Sequence, residues 1–397
     1  MLSEELLAST CGPPIASNTA VSKDIGIYSH HVSPWAVKTT YKKSWVPPKG
    51  LAVGDTHVFA AQDQKAQLHV YSRAGGQQEA LVSFDERIRC VALAANVVIL
   101  GTAQGRLIVW ETCTGRQVAT STCHLQPVTC LAVTPHHVLS ASDDSNINVW
   151  SLAPMLDLAA TDLSEPNLTL SNHRAPITDL VIGNSANPET LLCVSASKDK
   201  TCILWNYQTG QVLRILLLPS APLCIALDPA GRALFAATQD LGLYLVELFA
   251  DGPLLGARSV ELPSTLVQVD VPLGMADDQT GPASCLAISH DGTCVYTGHQ
   301  NGDILRWSLA GAAHAFKVTN LNASVTNLIF LPLLAAPKEY RAVTVVKPHQ
   351  TQRQYTLTTQ LLADLDTTPF LQELGFTGIH PRLLEPAMLS CGAPCEP

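Results

Sequence analysis

The sequence predicts an all-β fold built from a repeated unit of about forty residues, and three observations support that prediction. Short apolar runs alternate with polar turns rich in Gly, Asp and Asn, which is typical of hairpins. Each unit opens on a strand with one shared pattern. Five units end at the same strand position, with spacings of 40, 55, 41 and 61 residues, at Trp110, Trp150, Trp205, Val246 and Trp307. A period near forty with several short strands per unit is typical of a β-propeller.

Composition excludes several other classes of protein. Hydrophobic residues make up 47% of the 397 residues and charged residues 14%, which is too apolar for an intrinsically disordered chain. The net charge of −9 argues against a protein that binds nucleic acid by itself, because no basic excess neutralises phosphates. Glu4 and Glu5 stand where a signal peptide needs positive charge, and the most apolar later run is interrupted by Pro219 and Pro222. We therefore expect an intracellular, soluble protein with no membrane partner.

The opening strands of the units share a column of cysteines. Four units carry a cysteine at one position and a fifth carries Asp179 there; the cysteines are Cys90, Cys130, Cys224 and Cys285. No C-x-x-C pair occurs, so the paired close ligands of a zinc site are missing from the sequence. We predict a tightly packed position on an inner strand rather than metal or redox chemistry, because a buried thiol behaves as a small apolar side chain.

Two units carry a fuller polar set. Trp150 is preceded at fixed offsets by Asp144, Ser142 and His124, and Trp205 is preceded by Asp199, Ser197 and His173. At these residues the chain resembles the WD40-repeat family. The resemblance implies two structural tetrads in which indole, hydroxyl, imidazole and turn carboxylate hydrogen-bond to one another: His124, Ser142, Asp144 and Trp150, and His173, Ser197, Asp199 and Trp205. The other units are degraded, with Val246 in place of a Trp.

Counting the units gives seven blades. An earlier copy lies at residues 50–71 and a later one begins at residue 324. The strand-like segment from Asp24 to Ser44 is expected to complete the last blade, closing the ring so that no long sheet edge stays unpaired. The expected domains are an N-terminal arm (1–23), a seven-bladed WD40 propeller (24–365) and a short irregular tail punctuated by prolines (366–397).

Catalytic motifs are missing from the sequence. A hydrolase triad presents its Ser on a G-x-S-x-G elbow, and none occurs; Ser142 and Ser197 instead recur at a fixed offset from a strand Trp. The sequence also contains no phosphate-binding loop and no H-E-x-x-H motif. We expect no catalytic residue, no cofactor and no metal, and we interpret the chain as a protein that is not an enzyme.

Two kinds of surface are candidates for docking. Lys38, Lys42 and Lys43 lie near Trp35, Tyr41 and Trp45, a combination that binds RNA by charge and stacking in other proteins. We favour a solvated strand face with core aromatics, and an RNA contact that is at most indirect or auxiliary. The long segments 153–172 and 251–282 are the other candidates, because propellers present loops to partners. The alternative for both is a disordered excursion without a docking role, which is the commoner fate of long loops.

The N-terminal stretches resemble one branch of the family more specifically. The segments that carry this resemblance are 1–5, 12–14, 24–28, 56–62, 69–73, 113–118 and 119–131. They resemble the fungal pre-rRNA-processing WD-repeat subunit of the Rix complex, the rixosome of animals, and the similarity extends to roughly residue 350. It implies a nuclear scaffold that acts in removal of the internal transcribed spacer and in maturation of the large ribosomal subunit. The implied partners are the Rix subunit, a helical-repeat subunit, the AAA ATPase midasin and the precursor particle.

The C-terminal region departs from that branch, whose members often carry a charged helical extension proposed for self-association. Here the apolar patches after residue 360 are short and interrupted by prolines, so no sustained heptad repeat is present. The alternative function is a generic WD40 adaptor, a substrate receptor or coat subunit, that binds a linear peptide on its rim, since fold alone does not assign function.

Overall fold

The computed structural model describes residues 4–15, 25–94, 97–156, 165–183, 192–249, 254–255, 266–309 and 314–331. Within these residues the chain forms seven sheets, six of four strands and one of five. Each sheet is one blade, and the prediction of an all-β, seven-bladed propeller is confirmed. Among the described residues no helix is long and apolar enough to cross a membrane.

The blades follow one another along the chain after three N-terminal strands, β1 (Glu5–Cys11), β2 (Ile25–Val32) and β3 (Trp35–Lys42). The first blade contains β4 (Leu51–Val53), β5 (His57–Ala61), β6 (Gln67–Ser72) and β7 (Gln78–Ser83). The second contains β8 (Ile88–Ala94), β9 (Val97–Thr102), β10 (Leu107–Glu111) and β11 (Gln117–Ala119). The third contains β12 (Val128–Val133), β13 (His137–Ser142), β14 (Ile147–Ser151), the short helix α1 (Leu152–Leu156) after it, and β15 (Leu168–Leu170).

The later blades take up the longer connections. The fourth contains β16 (Ile177–Ile182), β17 (Leu192–Ser197), β18 (Thr201–Asn206) and β19 (Gln211–Leu217). The fifth contains β20 (Pro222–Leu227), β21 (Ala233–Thr238) and β22 (Gly242–Glu247). Two strands follow, β23 (Leu266–Gln268), which pairs parallel to β19, and β24 (Gly274–Met275), which pairs with β22. The sixth contains β25 (Ala283–Ile288), β26 (Cys294–His299), β27 (Asp303–Ser308) and β28 (Ala315–Asn320), and β29 (Ser324–Phe330) comes last.

The closing blade joins regions that are distant in sequence. Its strand order is β29, β1, β2, β3, with β1 antiparallel to both neighbours: Leu7 pairs with Ile329 and Ala8 pairs with Tyr28. Closure by an N-terminal strand segment is therefore confirmed. The placement of residues 1–23 in an arm outside the propeller is corrected for Glu5–Cys11, because Leu6, Leu7 and Ala8 are fully buried between two strands. The expected limit at residue 365 and the tail 366–397 lie outside the described residues.

The apolar core is divided among the blade interfaces. Each of seven clusters of buried side chains joins two neighbouring blades; one, for example, brings Phe59 and Val70 of the first blade against Val98 and Trp110 of the second. Successive residues of a strand face opposite neighbours, so that Leu6 packs towards the sixth blade and Leu7 towards the first. Both faces of each sheet are covered, and the innermost strands meet around a central channel.

The cysteine column lies on these innermost strands. Cys90, Cys130, Cys224 and Cys285 are all buried, and the thiols of Cys90 and Cys224 reach the backbone carbonyl of the next blade at 3.8 and 3.9 Å. Burial raises the pKa of the Cys130 and Cys285 thiols to about 12. Neutral, enclosed thiols fit a packing role. No group of three or more His, Cys, Asp or Glu is placed to hold a metal ion in the part of the chain that is described.

Candidate docking site at one mouth of the channel

A chain of four polar side chains crosses the third blade. The Trp150 indole donates from Nε1 to Ser140 Oγ at 3.1 Å, and Ser140 Oγ lies 2.9 Å from His124 Nε2. His124 Nδ1 lies 3.1 Å from Asp144 Oδ2. With the imidazole proton on Nδ1, each donor has an acceptor, which removes the cost of burying unpaired polar groups. The structure thus brings together His124, Asp144 and Trp150, with Ser140 between them.

The fourth blade repeats the arrangement. Trp205 Nε1 donates to Ser195 Oγ at 2.8 Å, Ser195 Oγ lies 2.7 Å from His173 Nε2, and His173 Nδ1 lies 3.1 Å from Asp199 Oδ2. Burial opposes ionisation of Asp199, but hydrogen bonds from His173 and Thr201 outweigh it and hold the pKa of that carboxyl below its usual range.

Ser142 and Ser197 are not the tetrad hydroxyls, which corrects the sequence assignment. In the β13–β14 hairpin Trp150 is paired with Val138, so Ser140, two residues along on the same face, is the diagonal neighbour of the indole. Ser142 is two residues further, where its Oγ donates to the Gln126 carbonyl at 3.1 Å. It also accepts from the Asp144 N–H, as Ser197 accepts from the Asp199 N–H. These two serines fix the turns that carry the tetrad carboxylates.

The remaining blades depart from this pattern in different ways. In the sixth, Trp307 Nε1 donates to Thr297 Oγ1 at 2.9 Å, and Thr297 bonds His299 on its own strand. In the second, Leu100 occupies the acceptor position, and the Trp110 indole N–H has no hydrogen-bond partner among the described residues. The tetrad is therefore a property of two adjacent blades rather than of the propeller.

A cavity of about 240 Å³ lies at the mouth of the channel, and the third and fourth blades supply part of its lining. Its lining includes residues that directly precede a member of the cysteine column in the sequence, among them Arg89, Thr129 and Thr178. The turn residues Asp143 and Lys198 line it as well. Both turn residues are direct neighbours of tetrad carboxylates. Their backbone N–H groups bond the carbonyls of Pro127 and Pro176 at 3.2 and 3.0 Å, which ties each turn to the entry of an innermost strand.

Lys49 lines the cavity as well and forms an ion pair across the channel. Its Nζ lies 2.7 Å from Oδ2 of Asp179, the residue that replaces cysteine in the column. Asp179 is 1% exposed and also accepts the backbone N–H groups of Leu180 and Ile225. Burial opposes the charge on Lys49, but Asp179 outweighs it and raises the lysine pKa. The sequence analysis did not identify Lys49. The signal that could have indicated it was Asp179, a carboxylate among buried cysteines, because a buried negative charge requires a cationic partner.

The lysines at positions 38, 42 and 43 and the aromatic residues near them do not form a platform on which bases could stack. Tyr41 is buried and packs edge-on against Tyr71 with ring centroids 5.5 Å apart, and Trp35 stacks on His30 at 4.7 Å. Lys38 is paired with Glu5. Trp45 is 53% exposed, and Lys42 and Lys43 are exposed. The described parts of the segments 153–172 and 251–282 include strands β15, β23 and β24, each of which joins a blade.

Comparison with known proteins gives the same picture of the fold. The family model described as WD domain, G-beta repeat, matches residues 115–151 and 164–206, two segments that contain the residues of the two tetrads. The chain is 28% identical over 304 residues to "Pre-rRNA-processing protein IPI3" of Yarrowia lipolytica, covering 74% of this chain and 70% of that protein. It is 22% identical to "Pre-rRNA-processing protein crb3/ipi3" of Schizosaccharomyces pombe, covering 71% and 69%. Among solved structures, "Structure of U3-55K" matches with a TM-score of 0.53 at 16% identity, over 69% of this chain and 81% of that chain, which supports the fold alone.

Proposed function

We propose that this chain, which contains WD40 repeats and is similar to proteins named for pre-rRNA processing, is a non-catalytic scaffold of ribosome assembly. It acts in processing of the internal transcribed spacer and in maturation of the large ribosomal subunit. One observation carries the proposal: the similarity to the Yarrowia lipolytica protein runs over 304 residues, whereas the general repeat model matches two segments. Shared sequence well outside those repeats favours a shared role over a shared fold only.

The buried networks support a role without catalysis. Ser195, His173 and Asp199 are hydrogen-bonded in the order of a hydrolase triad, but Ser195 is 0% exposed and its oxygen accepts from the Trp205 indole. A catalytic serine must meet its substrate. The same holds for Ser140 in the third blade. These groups hold turns in place for a binding surface.

The partners follow from the same proposal. The protein holds the Rix subunit and the helical-repeat subunit of a nuclear complex, and helps to recruit the AAA ATPase midasin to the large-subunit precursor particle. It works in the nucleolus and nucleoplasm. Its net charge of −9 favours contacts with proteins over an independent grip on RNA.

Depletion of the protein tests the proposal directly. Cells that lose it are expected to accumulate the precursor rRNA that contains the spacer between the large-subunit rRNAs, measured with a hybridisation probe for that spacer. Re-expression of the intact chain is the control and should restore processing. Purification through a tag should recover the assembly partners with precursor particles. Normal precursor levels, or recovery of ligase or coat components instead, would contradict the proposal and favour the adaptor function.

A further inference from the structure

The channel-mouth cavity is cationic within an acidic protein. Three of its lining side chains are basic, Lys49, Arg89 and Lys198, and one is acidic, Asp143. Asp179 neutralises the charge of Lys49, so Arg89, Lys198 and Asp143 leave a net charge of about +1 at the mouth. The whole chain, by contrast, carries a net charge of −9. A concave site of opposite sign to the rest of the molecule concentrates anions.

The unused hydrogen-bond donors of the cavity are its cations. The side chains of Arg89 and Lys198 form no hydrogen bond or ion pair with any residue that the structure describes, and both are exposed. The hydroxyls are already engaged: Thr129 Oγ1 donates to the Ala141 carbonyl at 3.2 Å, and Thr178 Oγ1 donates to the Pro222 carbonyl at 2.8 Å. A ligand therefore meets N–H donors of a guanidinium and ammonium groups, which suit an oxyanion.

We propose that this cavity binds a carboxylate side chain of an acidic peptide segment that a partner protein inserts into the channel mouth. A net charge of about +1 matches one carboxylate, whereas Asp143 repels a doubly charged phosphate. No aromatic side chain lines the cavity, so it offers nothing on which a nucleic-acid base stacks. The inference rests on the proposed scaffold role and names the chemistry of one partner contact.

The tetrads give this site its rigidity. Asp144 and Asp199 are each fixed by an imidazole and by backbone N–H groups, and the preceding residues, Asp143 and Lys198, line the cavity. A charged group held on a fixed turn loses less conformational freedom on binding than one on a mobile loop. The two blades with complete networks are thus the two that supply turn residues to the site.

Fluorescence anisotropy with the purified full-length chain tests the proposal. The probe is a fluorescein-labelled octapeptide of alternating glutamate and glycine, and the reference peptide has glutamine in place of glutamate. The double variant Arg89→Gln/Lys198→Gln is expected to bind the glutamate peptide about tenfold more weakly, since each lost ion pair weakens binding by up to about fivefold. The matched control, Lys42→Gln/Lys43→Gln, removes the same charge from exposed positions outside the cavity lining and should change binding less than about twofold.

Each alternative result overturns the assignment. Absence of binding, equal binding of the glutamine peptide, or equal loss in both double variants would show that the cavity does not select a carboxylate. Stronger competition by inorganic phosphate than by acetate, or by an eight-nucleotide uridine RNA than by the peptide, would assign the site to a different ligand. If the peptide binds but depletion causes no precursor accumulation, the carboxylate site is supported and the proposed function is contradicted. If depletion causes accumulation but the peptide does not bind, the proposed function is supported and the carboxylate site is contradicted.

Discussion

The second and fourth blades contain the same buried tryptophan in the same register, but only the fourth supplies an acceptor for its indole. Trp205 is paired with Cys193 and bonds Ser195, whereas Trp110 is paired with Val98 and has Leu100 at the equivalent place. Both rings are almost fully buried. The Trp110 ring packs edge-on against Phe59 and Phe84, with centroids 6.2 and 6.4 Å away.

This difference distinguishes the interactions that form a blade from those that position its turn residues. Apolar packing on both faces and backbone pairing suffice for the second blade, which lacks the network and still has four ordered strands. The hydrogen-bonded network of the fourth blade does another task, because it fixes the turn that carries Lys198 next to the cavity. Among the described residues, the complete networks occur in the two blades whose turn residues line the cavity, whereas the second blade supplies Arg89 from a strand and has no such network.

Removing the tetrad hydroxyl should produce the largest effect. Ser195→Ala leaves the Trp205 N–H and the His173 ring nitrogen buried without their partner, which is expected to lower the free energy of unfolding by about 2–4 kcal/mol. Urea denaturation followed by tryptophan fluorescence measures it. The matched variant Ser197→Ala loses the bond to the Ala175 carbonyl at 2.9 Å and the bond from the Asp199 N–H, and should cost about 1–2 kcal/mol. Equal losses would mean that the buried network contributes no more to stability than the two turn bonds of Ser197.

That pair of serines also marks the limit of sequence reasoning. The seven blades follow from the spacing of the strand-end residues, because turn chemistry and alternation are local. Ser195 and Ser197 lie on the same face of one strand, so no periodicity distinguishes them; only the pairing of Trp205 with Cys193 does. Partners that are distant in the sequence are even harder to predict. The pairing of β1 with β29 and the contact between Lys49 and Asp179 join residues that no local pattern connects.

The closing blade should respond to mild acid before the fourth blade does. Burial lowers the pKa of His30, stacked between Tyr28 and Trp35, to about 4, whereas an unfolded chain titrates near 6.5. Below pH 6.5 the unfolded state binds the extra proton, so the free energy of unfolding falls by up to about 3 kcal/mol between pH 6.5 and 4. The pKa of Asp199 is lowered instead, so its ionised carboxylate contributes to the free energy of unfolding at every pH above the ordinary aspartate pKa. That contribution is lost only when the pH falls towards the lowered pKa of the folded protein.

Denaturation curves at several pH values measure this difference. His30→Phe keeps a ring in the stack and removes one titrating group, so the fall in its unfolding free energy between pH 6.5 and 4 should be smaller by up to about 3 kcal/mol, while His69, His137 and His299, whose pKa values burial also lowers, keep their share. His31→Gln, which removes an imidazole from the opposite face of β2, is the control for the loss of a histidine from this strand. A slope unaffected by His30→Phe would assign the acid sensitivity to another group.

The smallest expected effect isolates the indole hydrogen bond itself. Trp205→Phe and Trp110→Phe remove the same ring volume from equally buried sites, so their cavity costs should be similar. The first also takes a donor from Ser195, while the second removes an N–H that has no partner among the described residues. Trp205→Phe should therefore cost about 1–2 kcal/mol more in urea denaturation. Equal costs would mean that the indole bond is energetically neutral, and the contrast between the two blades would then rest on the imidazole and the turn carboxylate alone.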